Sequence, residues 1–223
     1  YAEKNPQKTE RNLLLLEKQI LETPEDAYIW YNLGVTYYGG AKFVQAKSAF
    51  DKALIFEEGY FSEEILFNIY AKLAQIHLAS HKPNFVTEFV AILQHLDASN
   101  PFPYYIKAAQ NFENENFEMA LENLNDVTLR NSGYWKVSES QIQMDLGNAH
   151  YKLRQLNEAI SCYSESLKLD PESAVACYNL GNCLYQMGLF AEAKEMYKWA
   201  ISYQDDFEAA KANLAIVNQH IEK

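Results

Sequence analysis

The stretch Tyr178–Ala193, YNLGNCLYQMGLFAEA, opens with four residues that also stand at Tyr31–Gly34, 147 positions earlier. A chance tetrapeptide would not bring its surroundings with it, and this one does. Leu33-Gly34, Leu146-Gly147 and Leu180-Gly181 are each followed by an alanine twelve residues after the glycine, at Ala46, Ala159 and Ala193. Four residues further on stands an aromatic: Phe50, Tyr163 and Tyr197. The last two copies are 34 residues apart, and Pro171 falls where one unit should end.

A 34-residue period of Leu-Gly, Ala, aromatic and closing Pro resembles the tetratricopeptide repeat family. The resemblance implies helix pairs in which the small residues let two axes cross closely and the aromatics and leucines fill the remaining gaps. One hairpin cannot bury its own apolar face, so neighbours must stack. The expected fold is all-α: a right-handed solenoid of antiparallel helix pairs, about eleven to twelve helices, irregular in the middle and occupying 1–223 as one array. Three copies match well, at 27–60, 140–173 and 174–207. The 147-residue gap exceeds four periods by eleven, so the middle, 61–139, is read as two degenerate repeats. In it a long helix over 63–80 pairs with one over 84–101, and 103–129 forms a second pair with Phe117 and Ala120 at repeat positions. The ends read as caps: one amphipathic helix over 9–26, ended by Pro24, and a final helix over 208–223.

Composition narrows function by exclusion. With 48% apolar and 22% charged residues the chain is too apolar for disorder. A net charge of −11 argues against a nucleic-acid or anionic-membrane partner. No apolar run is long enough to span a membrane as a helix. The three cysteines, Cys162, Cys177 and Cys183, have no framework spacing and read as small buried residues in a reducing, cytoplasmic setting.

No Gly-rich phosphate loop, nucleophile elbow or paired CxxC occurs. His77 and His81 are four apart on one helix, but Leu78 stands where a zincin needs Glu, so no metal or cofactor site is expected. Asp170-Pro171-Glu172 falls in a turn, where Pro and acids act as helix stop and start signals. This chain is expected to be non-catalytic.

What remains is surface. The resemblance implies that the first helix of each pair lines a concave wall. In the last repeat Asn179, Asn182 and Gln186 share the helix face opposite Leu180, Gly181 and Leu184, flanked by Tyr178 and Tyr185. The preceding repeat offers Asp145, Asn148 and Lys152 with Tyr151, and the first offers Tyr31, Asn32 and Tyr38. Amides present both donor and acceptor, so stacked Asn side chains are suited to an extended peptide backbone, and Tyr adds apolar area with a polar tip. A peptide or protein partner is therefore expected in this groove. The paired Lys/Arg clamp of chaperone-binding members is missing, with Lys152 nearly alone.

A second resemblance is local. The segment KTERNLLLLEKQILETPEDAYIWYNLG (8–34) looks like the junction between catalytic domain and repeats in bacterial family 2 glycosyltransferases, through Lys8, Arg11, Asn12, Leu15, Leu16 and Glu17. With a first residue that is Tyr rather than Met, it implies an upstream nucleotide-sugar transferase domain to which this region would be accessory. The alternative is a free-standing bacterial scaffold or a peptide-sensing regulatory protein.

Overall fold

The computed structural model describes residues 6–80, 83–131 and 136–221, and among them every regular element is an α-helix. Twelve are present: α1 (Pro6–Glu22), α2 (Ala27–Gly39), α3 (Phe43–Phe56), α4 (Glu63–Ala79), α5 (Pro83–Leu96), α6 (Phe102–Glu113), α7 (Phe117–Arg130), α8 (Glu139–Lys152), α9 (Leu156–Leu169), α10 (Ala174–Gln186), α11 (Phe190–Tyr203) and α12 (Glu208–Ile221). The chain forms two compact units, the first ending at Ser99 and the second beginning at Asn100. In the first unit α1 packs on α2, and α2/α3 and α4/α5 form hairpins. In the second, α6/α7, α8/α9 and α10/α11 form hairpins, with α12 against α11.

The small residues do what the spacing predicts. A Cβ added to Gly34 would lie 2.5 Å from the Phe50 ring, one on Gly147 2.6 Å from Tyr163, and one on Gly181 2.7 Å from Tyr197. Each glycine is thus the seat of the aromatic sixteen residues later, and Ala46, Ala159 and Ala193 are fully buried beside it. Successive hairpins of the second unit share cores: Ala108, Leu124 and Val127 meet Ile142 and Leu146, and Ala159 and Tyr163 meet Leu180 and Cys183. Burial of this interdigitated apolar surface is the main stabilising term.

A recurring turn fixes the register of a repeat that lacks the Leu-Gly signal. The N–H groups of Lys42, Gln155 and Leu189 donate to the carbonyls of Tyr37, His150 and Leu184, each at 2.9 Å. Asn116 donates in the same way to Asn111 at 2.8 Å. One residue before each donor lies in the left-handed region: Ala41, Arg154, Gly188 and Glu115. Ala108 therefore stands in the glycine position, with buried Ala120 and Leu124 twelve and sixteen residues on. In the first unit buried Ala74, Val86 and Val90 have the same spacing. The intervals are then 40 from Gly34 to Ala74, 34 to Ala108, 39 to Gly147 and 34 to Gly181. The eleven extra residues divide into six and five. The first group falls in the stretch with the long helix α4 and the linker before it, the second in the stretch containing the segment between α7 and α8.

Two expected boundaries need correction. The first helix, read over 9–26 and ended by Pro24, does stop at that proline, but its last residue is Glu22, because a residue before Pro disfavours helical geometry. There Thr23 turns back onto the Gln19 carbonyl at 3.1 Å, and the Trp30 indole donates to the Pro24 carbonyl at 2.7 Å. Helix α5 ends at Leu96 rather than 101. Ser99 N–H turns onto Asp97 Oδ1 at 3.0 Å, and Asn100 Oδ1 accepts from the Phe102 N–H at 3.0 Å. Local Asx turns outcompete the helix there.

Candidate binding cavity

In the second unit, α6, α8, α9 and α10 border an open cavity of about 320 Å³ lined by Phe112, Asp145, Asn148, Tyr151, Lys152, Tyr163, Asn179 and Asn182. Five of the residues expected to line a groove, Asn148, Tyr151, Lys152, Asn179 and Asn182, meet here. Helical spacing brings them together, since positions 145, 148 and 152 of α8 and 179 and 182 of α10 share one face of each helix.

The amides are oriented from behind. Tyr163, only 1% exposed, donates its hydroxyl proton to Asn148 Oδ1 at 2.8 Å, and Asn179 Nδ2 donates to the same oxygen at 3.1 Å. One period later Tyr197, also 1% exposed, donates to Asn182 Oδ1 at 2.8 Å, and Asn213 Nδ2 donates there at 2.8 Å. A carbonyl oxygen has two lone pairs, so both acceptor ends are occupied. The expectation that Asn148 and Asn182 offer a ligand both donor and acceptor is thereby corrected: only N–H groups are left to offer, and Asn148 spends one of its two on Asp145. Burial raises the pKa of both tyrosines, so they stay protonated donors. The first repeat lacks both members of the pair, with Phe50 in the tyrosine position and Val35 in the asparagine position. A buried hydroxyl needs a partner, and where the hydroxyl is absent so is the amide.

Asp145 is half-buried in the cavity wall. Gln141 Nε2 donates to its Oδ1 at 3.0 Å and the Tyr105 hydroxyl to its Oδ2 at 3.0 Å. Burial raises its pKa above the ordinary carboxyl value, and hydrogen bonds from Gln141, Tyr105 and Asn148 oppose that shift. Lys152 holds its ammonium over the Phe117 ring, 5.9 Å from the centroid.

The other expected residues lie elsewhere. Tyr178 packs on Phe207 and Tyr197, with ring centroids 4.9 and 6.0 Å away. The Tyr185 hydroxyl meets His220 Nε2 at 3.1 Å. Gln186 donates to the Tyr151 hydroxyl and accepts from Arg154 Nη1 at 2.9 Å, so it steadies a cavity residue without lining the cavity. Tyr31, Asn32 and Tyr38 belong to the first unit. Tyr31 packs on Phe61 at 6.0 Å, Asn32 Nδ2 donates to the Tyr28 carbonyl at 2.8 Å, and the Tyr38 hydroxyl donates to Gln75 at 2.6 Å. Sequence reasoning missed Phe112, whose signal is positional. It stands four residues after Ala108, as Tyr151 does after Gly147 and Tyr38 after Gly34.

Among the described residues no group of three His, Cys, Asp or Glu side chains is placed to hold a metal. His77 is buried against Phe89, centroids 5.4 Å apart, and His81 lies outside the described residues. Cys177 and Cys183 are buried free thiols, and burial pushes Cys183 up to about 12. No described helix is long and apolar enough to cross a membrane.

Comparison with known proteins defines the class. A family model for the TPR repeat matches residues 147–188, and one for the tetratricopeptide repeat matches 174–210. Residues 147–210 therefore match tetratricopeptide repeats. Protein arginine N-methyltransferase 9 of Mus musculus is 32% identical over 63 residues, 28% of this chain, and its Homo sapiens counterpart is 33% identical over 61 residues, 27% of this chain. The match spans only 7% of either relative's length. Among solved structures YrrB, a TPR protein with an unusual peptide-binding site, superposes with a TM-score of 0.61 at 20% identity, over 89% of this chain and 96% of that one. The pilF protein of Pseudomonas aeruginosa gives 0.63 at 18% identity, over 88% and 90%. TTC0263, a thermophilic TPR protein of Thermus thermophilus, gives 0.61 at 18%, over 87% and 100%. These likenesses establish the all-helical repeat fold.

Proposed function

We propose that this chain is a non-catalytic interaction module whose second unit holds an extended peptide segment of a protein partner in the cavity between α6, α8, α9 and α10. The observation that supports this most is the fixed polarity of Asn148 and Asn182. Buried tyrosine hydroxyls and neighbouring amides occupy their carbonyl ends, which leaves N–H donors for the carbonyls of a peptide. Phe112 and Tyr151 supply apolar area beside them. YrrB, of the same fold, is a peptide binder, which is consistent with this use.

The test is a screen of blocked peptides against the folded chain, followed by titration of the hits. Asn179→Ala is the variant of choice, because Asn179 makes one 3.1 Å amide bond and seats no aromatic ring. Binding should weaken about tenfold, as expected for one or two lost hydrogen bonds, with little change in stability. Hits that bind the variant and the parent equally would contradict the reading.

A second reading makes the chain the accessory region of an enzyme such as a glycosyltransferase. Leu14, Leu15 and Leu21 of α1 are 64%, 53% and 84% exposed, an apolar face suited to packing against a neighbouring domain. In the segment carrying that resemblance Leu13, Leu16 and Ile20 pack on the repeat, the Tyr37 hydroxyl donates to Glu17 at 2.8 Å, and the Lys8 side chain lies outside the described residues. Co-purification of the full gene product with sugar-nucleotide transfer activity tests it, and a product without transferase activity counts against it.

A further inference from the structure

We propose that the cavity takes the cationic side chain of an arginine or lysine from the bound peptide, its charged head at the Asp145 carboxylate and its methylene stem along Phe112 and Tyr151. This rests on the peptide-groove reading and adds the chemistry of one residue of the ligand. Asp145 is a half-buried carboxylate in a cavity wall, yet it takes part in none of the ion pairs among the described residues. Those join Lys47 to Asp51, Arg130 to Asp126, Lys168 to Glu165, Lys198 to Glu195 and Lys211 to Glu208, each within one helix turn. Its partners, Tyr105, Gln141 and Asn148, are neutral donors that fix its position and leave its charge uncompensated. A carboxylate withdrawn from water and held in place favours a cation, and charge-assisted bonds are the strong ones. Phe112, Tyr151 and Tyr163 line the same space and are suited to a flat guanidinium or an alkyl stem.

The other charge lining the cavity is Lys152. Its ammonium rests over Phe117, on α7, rather than on Asp145. The titratable groups around Asp145 are otherwise phenols, Tyr105, Tyr151 and Tyr163, which burial keeps protonated. Because burial raises the Asp145 pKa, the preference for a cation is present while the carboxylate is ionised. It fades as pH falls through that raised value, earlier than for an exposed carboxylate.

The experiment uses three probes: N-acetyl-arginine methylamide, its neutral citrulline counterpart and N-acetyl-glutamate methylamide. Each is titrated into the isotope-labelled chain while the side-chain amide signals of Asn148, Asn179 and Asn182 are followed. The arginine probe should bind at least about tenfold more tightly than citrulline, and Asp145→Asn should erase that difference. Asp145→Glu keeps the charge and should keep the preference. The parent comparison of arginine with citrulline stands even where a variant fails to fold. Equal binding of the two, tighter binding of glutamate through Lys152, or no response to any probe overturns the inference. Neutral peptides from the screen that bind the cavity while arginine and citrulline remain equal would overturn it alone and leave the groove reading standing.

Discussion

The Tyr163 hydroxyl donates to Asn148 Oδ1 at 2.8 Å across one hairpin, and Tyr197 makes the same bond to Asn182 at 2.8 Å across the next. Each pair ties the second helix of a hairpin to the cavity-lining side of the first. A residue of the core thus sets the polarity of the cavity. The two bonds predict coupled energetics. Tyr197→Phe strands one lone pair of Asn182 and should cost about 0.5–1.5 kcal/mol. Asn182→Val leaves the hydroxyl itself unpaired at a 1% exposed site and should cost about 1–3 kcal/mol. The double variant reproduces the Phe50 and Val35 combination of the first repeat, so its loss should fall short of the sum by at least about 0.5 kcal/mol. Urea unfolding of the four proteins measures this, and strict additivity would show the bond to be idle.

Gly147→Ala should lower stability by about 1–3 kcal/mol, because the new methyl group would overlap the Tyr163 ring. The ring cannot simply slide, since its hydroxyl is anchored on Asn148. Gly39→Ala is the control, as a Cβ there meets nothing within 4 Å. Similar urea midpoints for Gly147→Ala and the parent would remove the close seat from the account.

The helix-pair fold was legible because Leu-Gly, Ala and aromatic recur at fixed offsets, and packing against a glycine leaves few alternatives. In α6 and α7 only Phe117 and Ala120 announced the register, because Ala108 replaces the glycine and Leu124 the aromatic. There the repeat survives in backbone geometry, in the left-handed Glu115 and the Asn116 to Asn111 bond at 2.8 Å, which no side-chain pattern announces. The site was half legible. Helical spacing brought Asn148, Asn179 and Asn182 to one wall, but which end of Asn148 and Asn182 faces outward depends on tyrosines 15 residues later in sequence, on the other helix of each hairpin.

That left-handed turn supplies a further test. Glu115 has φ +58° and an exposed side chain, a conformation L-residues adopt at a cost of about 1–2 kcal/mol. Glu115→Gly relieves it and should raise stability by about 0.5 kcal/mol after the entropy of glycine is counted. Glu115→Val should lower it by about 1 kcal/mol or more, as branching at Cβ worsens the clash. Thermal melts of the two variants must move in opposite directions.

Asp145 should titrate above the ordinary carboxyl value of about 3.9. The folded state then binds this proton more tightly than the unfolded chain does. The contribution of Asp145 to stability therefore falls as pH rises from the unfolded value through the folded one, and is constant above that. Carboxyl-carbon NMR of the parent against Asp145→Asn isolates the signal, and a midpoint at or below the ordinary value would contradict the burial argument.

The most direct test of the central claim is to map where a peptide lands. A screened peptide, titrated into isotope-labelled protein, should shift the side-chain amides of Asn148, Asn179 and Asn182 and the signals of Phe112 and Tyr151, in proportion to occupancy. Shifts confined instead to exposed apolar faces, such as Leu14 and Leu21 on α1 or the stacked Trp199 and Tyr203 on α11, would contradict the account and move the binding surface away from the cavity.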